Sequence, residues 1–120
     1  MIRKIFILIF TLLMISVTTT GVTSDMPYND VRWGDDEKYL VKKYGSPEHE
    51  FIVPRHDLVG IYYSGIERTY PSKNPEFSQI LIKEMFWHVH DDLNLTCWLH
   101  SEDGKWVVIS YVFWPPGAKF

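Results

Sequence analysis

His88 and His90 stand two residues apart in the run KEMFWHVHDDLNLTCWLH. Two histidines at i and i+2 of a strand project from one face and can begin a metal site. Zinc needs three or four placed ligands, and this pair lacks a clear third. Asp91 and Asp92 form a turn signal, His100 falls on the other face in the register given below, and His49 and His56 belong to the other half of the chain. His88 and His90 therefore stay weak metal candidates, and no metal or cofactor is expected. Glu84 is a carboxylate inside a strand, on the face of Phe86 and His88, where partial burial is expected. It lies roughly 13 Å along the strand from His88 at ~3.3 Å per residue, too far for contact. His49, Asp57 and Ser64 supply the residue types of a hydrolytic triad, but their spacing supports none. The chain has no glycine-rich phosphate loop, no GxSxG elbow and no HExxH. Cys97 belongs to an apolar alternating set and reads as packing rather than as a nucleophile. An enzyme is not expected.

The elements that would position these residues run from Lys83 to Trp114 and read as two consecutive β-hairpins. Leu93, Leu95, Cys97 and Leu99 alternate with Asn94, Thr96, Trp98 and His100 at the period of a strand. Asp91-Asp92 and Ser101-Glu102-Asp103-Gly104 are the turn signals. A two-residue loop at Asp91-Asp92 pairs His90 with Leu93, His88 with Leu95 and Phe86 with Cys97. A four-residue loop at Ser101 to Gly104 pairs His100 with Lys105, Trp98 with Val107 and Thr96 with Ile109. One face then carries Phe86, His88, Leu93, Leu95, Cys97, Leu99, Trp106, Val108 and Val112. The other carries Met85, Trp87, Val89, Trp98, Val107, Ile109, Tyr111 and Phe113. Both faces are apolar, so each must be covered. Trp87, Trp98, Tyr111 and Phe113 would make a wide aromatic surface, with His100 among the polar groups available to a ligand. The same residues also suit a second core layer closed by the short strands. The sequon Asn94-Leu95-Thr96 falls inside a strand and reads as chance.

The rest of the 120-residue chain gives the setting. Arg3 and Lys4 precede an apolar run from Ile5 to Val17, followed by small polar residues with a cut site after Ser24. That is the layout of a secretory signal peptide over 1–24, and its apolar core is short for a membrane span. Removing Arg3 and Lys4 from the 12 basic residues leaves 10 against 15 acidic, a net charge of −5. This balance argues against nucleic acid as the partner and against docking on an anionic membrane through a basic face. The single cysteine permits no intramolecular disulfide. Residues 25–33 read as an extended arm, and 34–120 as one domain. Asp35 to Tyr44 reads as a helix, with acidic residues in its first turn, Lys42 and Lys43 in its last, then Gly45 and Pro47. Glu48–Val53 and Leu58–Tyr63 read as short strands, with Ile66–Tyr70 as an extension, Pro71–Pro75 as a loop and a long strand from about Gln79. The fold class is α+β: one short N-terminal helix on an antiparallel sheet of about four to five strands that ends in a three-stranded meander.

Leu40, and Tyr44, Gly45 and Pro47 within KKYGSPEHEF at the helix end, are followed by Trp98 and Gly104-Lys105-Trp106 in the last hairpin. This pattern resembles the small exported outer-membrane assembly lipoproteins of the SmpA/OmlA-like group and the β-lactamase-inhibitor-protein modules. The resemblance implies one or two helices on a three- or four-stranded sheet and a non-enzymatic role in protein binding or envelope assembly. The lipoproteins carry a cysteine at the cleavage site and this chain does not, so no lipid tether is expected. The leading expectation is a small periplasmic or secreted module that binds a protein partner, or itself, through the aromatic sheet face. A small-ligand or carbohydrate-binding module is the alternative, and a metal-dependent enzyme using His88 and His90 the third.

Overall fold

A computed structural model describes residues 31–120; the expected signal segment and most of the expected arm lie outside the described residues. The first element is helix α1, Glu37–Tyr44. Asp36 caps it, accepting the Tyr39 N–H at 2.9 Å, and Gly45, at φ 83°, ends it with its N–H on the Val41 carbonyl. Strand β1, His49–Pro54, follows and runs into a 3-10 turn, Arg55–Asp57. Strands β2 (Leu81–His90), β3 (Leu93–Glu102) and β4 (Lys105–Trp114) complete one antiparallel sheet in the order β1-β2-β3-β4. The class is α+β, with a strand meander.

The expected strand at Leu58–Tyr63 and its extension at Ile66–Tyr70 are not strands. Ile61–Arg68 is a 3-10 helix. Gly60 turns the chain at φ 115°, which other residues rarely adopt. Beyond it, Tyr62, Tyr63, Ile66 and Tyr70 all pack on one side, at helical rather than alternating spacing. Close approach to the sheet requires Gly65, because a Cβ there would lie 2.1 Å from Ser110 Oγ.

Two β-bulges overturn the expected register. His90 does face Leu93, but the pairing shifts between His88 and His90, so Trp87 faces Leu95 and Met85 faces Cys97. In the second hairpin Asp103 (φ 51°) and Gly104 (φ 78°) make a two-residue turn with positive φ at both positions. Glu102 therefore pairs with Lys105, and a second shift sets Trp98 opposite Ser110. Val89 and Ile109 are the extra residues. Trp87 and Trp98, expected on one face, fall on opposite faces.

Each face has its own apolar layer. Fully buried Leu40 of α1 and Val31 share one cluster with Met85, Trp87, Leu95, Cys97, Leu99 and Val108, with Tyr111 and Phe113 half-buried against it. The other cluster joins Ile82, Trp98 and Ile109 to Leu58 and Ile66 from the 3-10 side. Residues 34–36 run along the outer edge of β4, where the Gly34 N–H donates to Val108 and the Val108 N–H to Asp35, both at 2.8 Å. Val31, assigned from sequence to the arm, is thus core. Among the described residues no helix is long and apolar enough to cross a membrane.

Candidate functional site

The face covered by the 3-10 helix is not closed along its whole length. Towards the end of β4 it opens into a cleft of about 320 Å³ lined by His49, Tyr62, Glu84, Phe86, Trp114, Ala118 and Phe120. The register explains the gathering. His49 of β1, Phe86 of β2 and Thr96 of β3 lie in one row across the sheet, and Glu84 and Trp98 form the next. Tyr62 reaches over from the 3-10 helix, and the segment after Trp114 turns at Pro115–Ala118 and brings Phe120 back.

Glu84 lies at the floor. It is only 4% exposed. One oxygen, Oε1, accepts the Trp98 indole N–H at 2.8 Å. The other, Oε2, faces His49 Nε2 at 3.8 Å, an ion-pair separation longer than a hydrogen bond. Burial raises the carboxyl above its ordinary range, with the Trp98 N–H and His49 pulling the other way. Thr96, fully buried, holds the back wall. Its Oγ1 shares a 2.5 Å hydrogen bond with the Tyr62 hydroxyl and accepts the Trp114 indole N–H at 3.0 Å. Burial pushes the Tyr62 phenol up to about 12, with the Thr96 bond opposing the rise.

The walls are aromatic and touch in sequence around the opening. His49 stacks on Phe86 at 4.8 Å, Phe86 meets Trp114 at 5.8 Å, and Trp114 meets both Tyr62 and Phe120, at 6.0 and 5.7 Å. Phe120 is 52% exposed, so this wall stands at the rim rather than in the core. The result is a shallow, open, largely apolar depression with one desolvated carboxylate at its floor, a combination found in small-molecule sites.

The residues singled out from sequence are dispersed. Trp87 and Trp98 are buried on opposite faces, at 2% and 1% exposure. Trp87 donates its indole N–H to the Gly45 carbonyl at 2.9 Å, beneath α1. Tyr111 and Phe113 pack half-buried on that same layer. His100 is on the opposite side, bonded to the Tyr70 hydroxyl through Nδ1 at 2.6 Å. The aromatic sheet face is therefore not one exposed surface. The bulge also parts the histidine pair: His88 faces Asn94, bonding its Oδ1 at 2.7 Å, whereas His90 lies beyond the shift opposite Leu93. Among the described residues no three His, Cys, Asp or Glu side chains gather to hold a metal ion. Of the paper triad, His49 faces Glu84 and Asp57 pairs with the adjacent His56. Glu84 was legible as a strand carboxylate on the face of Phe86. His49, Tyr62, Trp114 and Phe120 were not, and only the four-residue spacing of Leu58, Tyr62 and Ile66 hinted that Tyr62 would fold onto the sheet. Comparison of the chain with protein-family models, curated proteins and solved structures finds no match.

Proposed function

We propose that this is an exported, non-catalytic binding protein that takes a small organic ligand in the Glu84 cleft. The observation that carries the reading is a nearly buried carboxylate at the floor of an open cleft walled by Phe86, Trp114 and Phe120. A core without a binding role would gain by covering these rings and replacing the carboxylate, since desolvating a charge costs stability. Export rests on the pattern of residues 1–24, and the non-catalytic reading on a sequence with no glycine-rich phosphate loop, GxSxG elbow or HExxH. Saturation-transfer NMR on mixtures of sugars, amines and organic acids tests the reading. Signals for at least one class, reduced in Phe120→Ala, are expected; equal signals from both proteins, or none from any class, would reject it.

A second reading keeps the protein-binding role but moves it to the β1 edge. β1 ends the sheet, and the Arg55 N–H donates to the Ile80 carbonyl. By the alternation of an antiparallel ladder, the backbone groups of Glu50 and Ile52 then point outward. Phe51 and Ile52 are 39% and 47% exposed there. Such an edge accepts an added strand from an extended segment of another protein. A photo-crosslinker in place of Ile52 should capture a protein partner that one in place of Lys119 does not; equal capture at both positions counts against the edge.

A further inference from the structure

We propose that the cleft binds an organic cation, an ammonium centre bearing small apolar substituents, with Glu84 as counter-ion and Phe86, Trp114 and Phe120 as aromatic walls. The inference rests on the small-ligand reading above and narrows it to one chemical class. Three observations carry it. The first is a charge imbalance. Among the described residues no Lys or Arg lines the cleft, and the one cationic partner within reach of Glu84 is His49, which is charged only when protonated. A buried carboxylate without a fixed cation is a costly arrangement that a bound cation relieves. The second is orientation. Trp98 occupies Oε1 from the core side, which leaves Oε2 directed to the side of His49 and the opening. The third is the set of rings. Phe86, Trp114 and Phe120 meet at 5.7–5.8 Å between centroids with planes inclined at 41° and 84°. Inclined rings present faces from several directions, and the negative faces of aromatic rings attract a cation, most strongly when water is excluded.

A neutral sugar would use the same rings by stacking. It would find few fixed donors and acceptors to select its hydroxyls, because Thr96 already serves Tyr62 and Trp114. An anion is disfavoured outright by Glu84. The charge and the aromatic walls together therefore favour the cation.

The five indole N–H signals of the protein make the test direct. Wild type is titrated with choline, with tetramethylammonium and with 3,3-dimethylbutan-1-ol, the neutral isostere of choline, at about pH 8, above the ordinary imidazole range. The expected result is that both cations shift the Trp98 and Trp114 signals and leave Trp106 in place. Trp106 packs on the other sheet face. The alcohol should bind at least about tenfold more weakly than choline, the scale of a desolvated cation–aromatic and ion-pair contact. Glu84→Gln keeps an acceptor for the Trp98 N–H and should weaken choline by about tenfold or more. Phe120→Ala, at a 52% exposed position, should weaken it by several-fold with an unchanged urea midpoint. If the alcohol binds as tightly as choline and Glu84→Gln makes no difference, the cation assignment is overturned while the cleft stands as a ligand site. If none of the three compounds moves either indole signal, the cation assignment is overturned, and the cleft as a ligand site stands or falls by the saturation-transfer measurement.

Discussion

Thr96→Val isolates the bonds that build the cleft. Thr96 is fully buried, and its hydroxyl is the shared partner of the Tyr62 hydroxyl and the Trp114 indole N–H. Valine keeps the shape and removes both bonds. Each bond contributes about 1 kcal/mol net, and a donor left unpaired away from water costs up to about 3 kcal/mol. Tyr62 and Trp114 are half-buried, so water partly replaces the lost partner and the lower figure applies to each. The methyl group that takes the place of the hydroxyl returns at most ~0.8 kcal/mol. The net expectation is a loss of about 1–1.5 kcal/mol, or roughly 5–10 °C in Tm for a domain of this size. Urea denaturation with an unchanged slope reads the loss as stability. Tyr62→Phe should then cost at least ~0.5 kcal/mol less in the Thr96→Val background than in wild type, the coupling expected of direct partners. The same variant should ionise Tyr62 at still higher pH, because the Thr96 bond opposes the rise caused by burial. A neutral or stabilising Thr96→Val, or equal costs of Tyr62→Phe in both backgrounds, would show that the cleft is not held by this bond pair.

Burial holds the Glu84 carboxyl above its ordinary range. The folded state therefore keeps this proton to higher pH than the unfolded state does. The stability linked to it is full below the ordinary carboxylate range and is lost as pH rises from there through the folded value. Glu84→Gln should thus gain on wild type, in urea midpoint, as pH rises through that window; a relative loss would reverse the assignment. Trp98→Ala should destabilise by about 3–5 kcal/mol, as expected for a fully buried ring, while Tyr111→Ala at its half-buried position costs less than half as much; equal small effects would mean that Trp98 is a surface residue. Burial, with the Asp35 charge adding to it, pushes the Cys97 thiol well up, so a thiol reagent should label it only in denaturant, and fast labelling of native protein would contradict its place in the core. Intact mass of the protein recovered outside the cytoplasm should begin at Asp25, and an unprocessed chain there would reject cleavage after Ser24.

The parts of the fold legible in the sequence were those governed by local chemistry. The acidic first turn and Gly45 marked α1, although its cap is Asp36, one residue beyond the expected start, and Asp91-Asp92 marked the first hairpin turn. Gly104 marked the second turn, but the expected four-residue loop over Ser101–Gly104 is a two-residue turn at Asp103-Gly104. The errors arose where one residue changes everything that follows it. Val89 and Ile109 are ordinary strand residues by type, and nothing local marks either as the extra residue of a bulge, yet each flips the strand beyond it relative to its neighbour. That is why Trp87 and Trp98 were grouped on one face and why His88 and His90 were read as a pair. Leu58–Tyr63 and its extension Ile66–Tyr70 were read as strand because Ile and Tyr favour strands, whereas Gly60 and packing on Trp98 decide for a 3-10 helix over Ile61–Arg68. The cleft was the least legible part. Its residues come from β1, the 3-10 helix, β2, β4 and the final segment, and only the closed sheet register brings His49, Glu84 and Trp114 to one opening.

The most direct test of the cleft as the binding site is a backbone amide chemical-shift map of the protein with its best small-molecule ligand. The expected perturbations form one contiguous patch over His49, Tyr62, Glu84, Phe86, Trp114 and Phe120. Perturbations confined to Glu50 to Ile52 on the outer edge of β1, or scattered without a centre at Glu84, would contradict the cleft as the functional site.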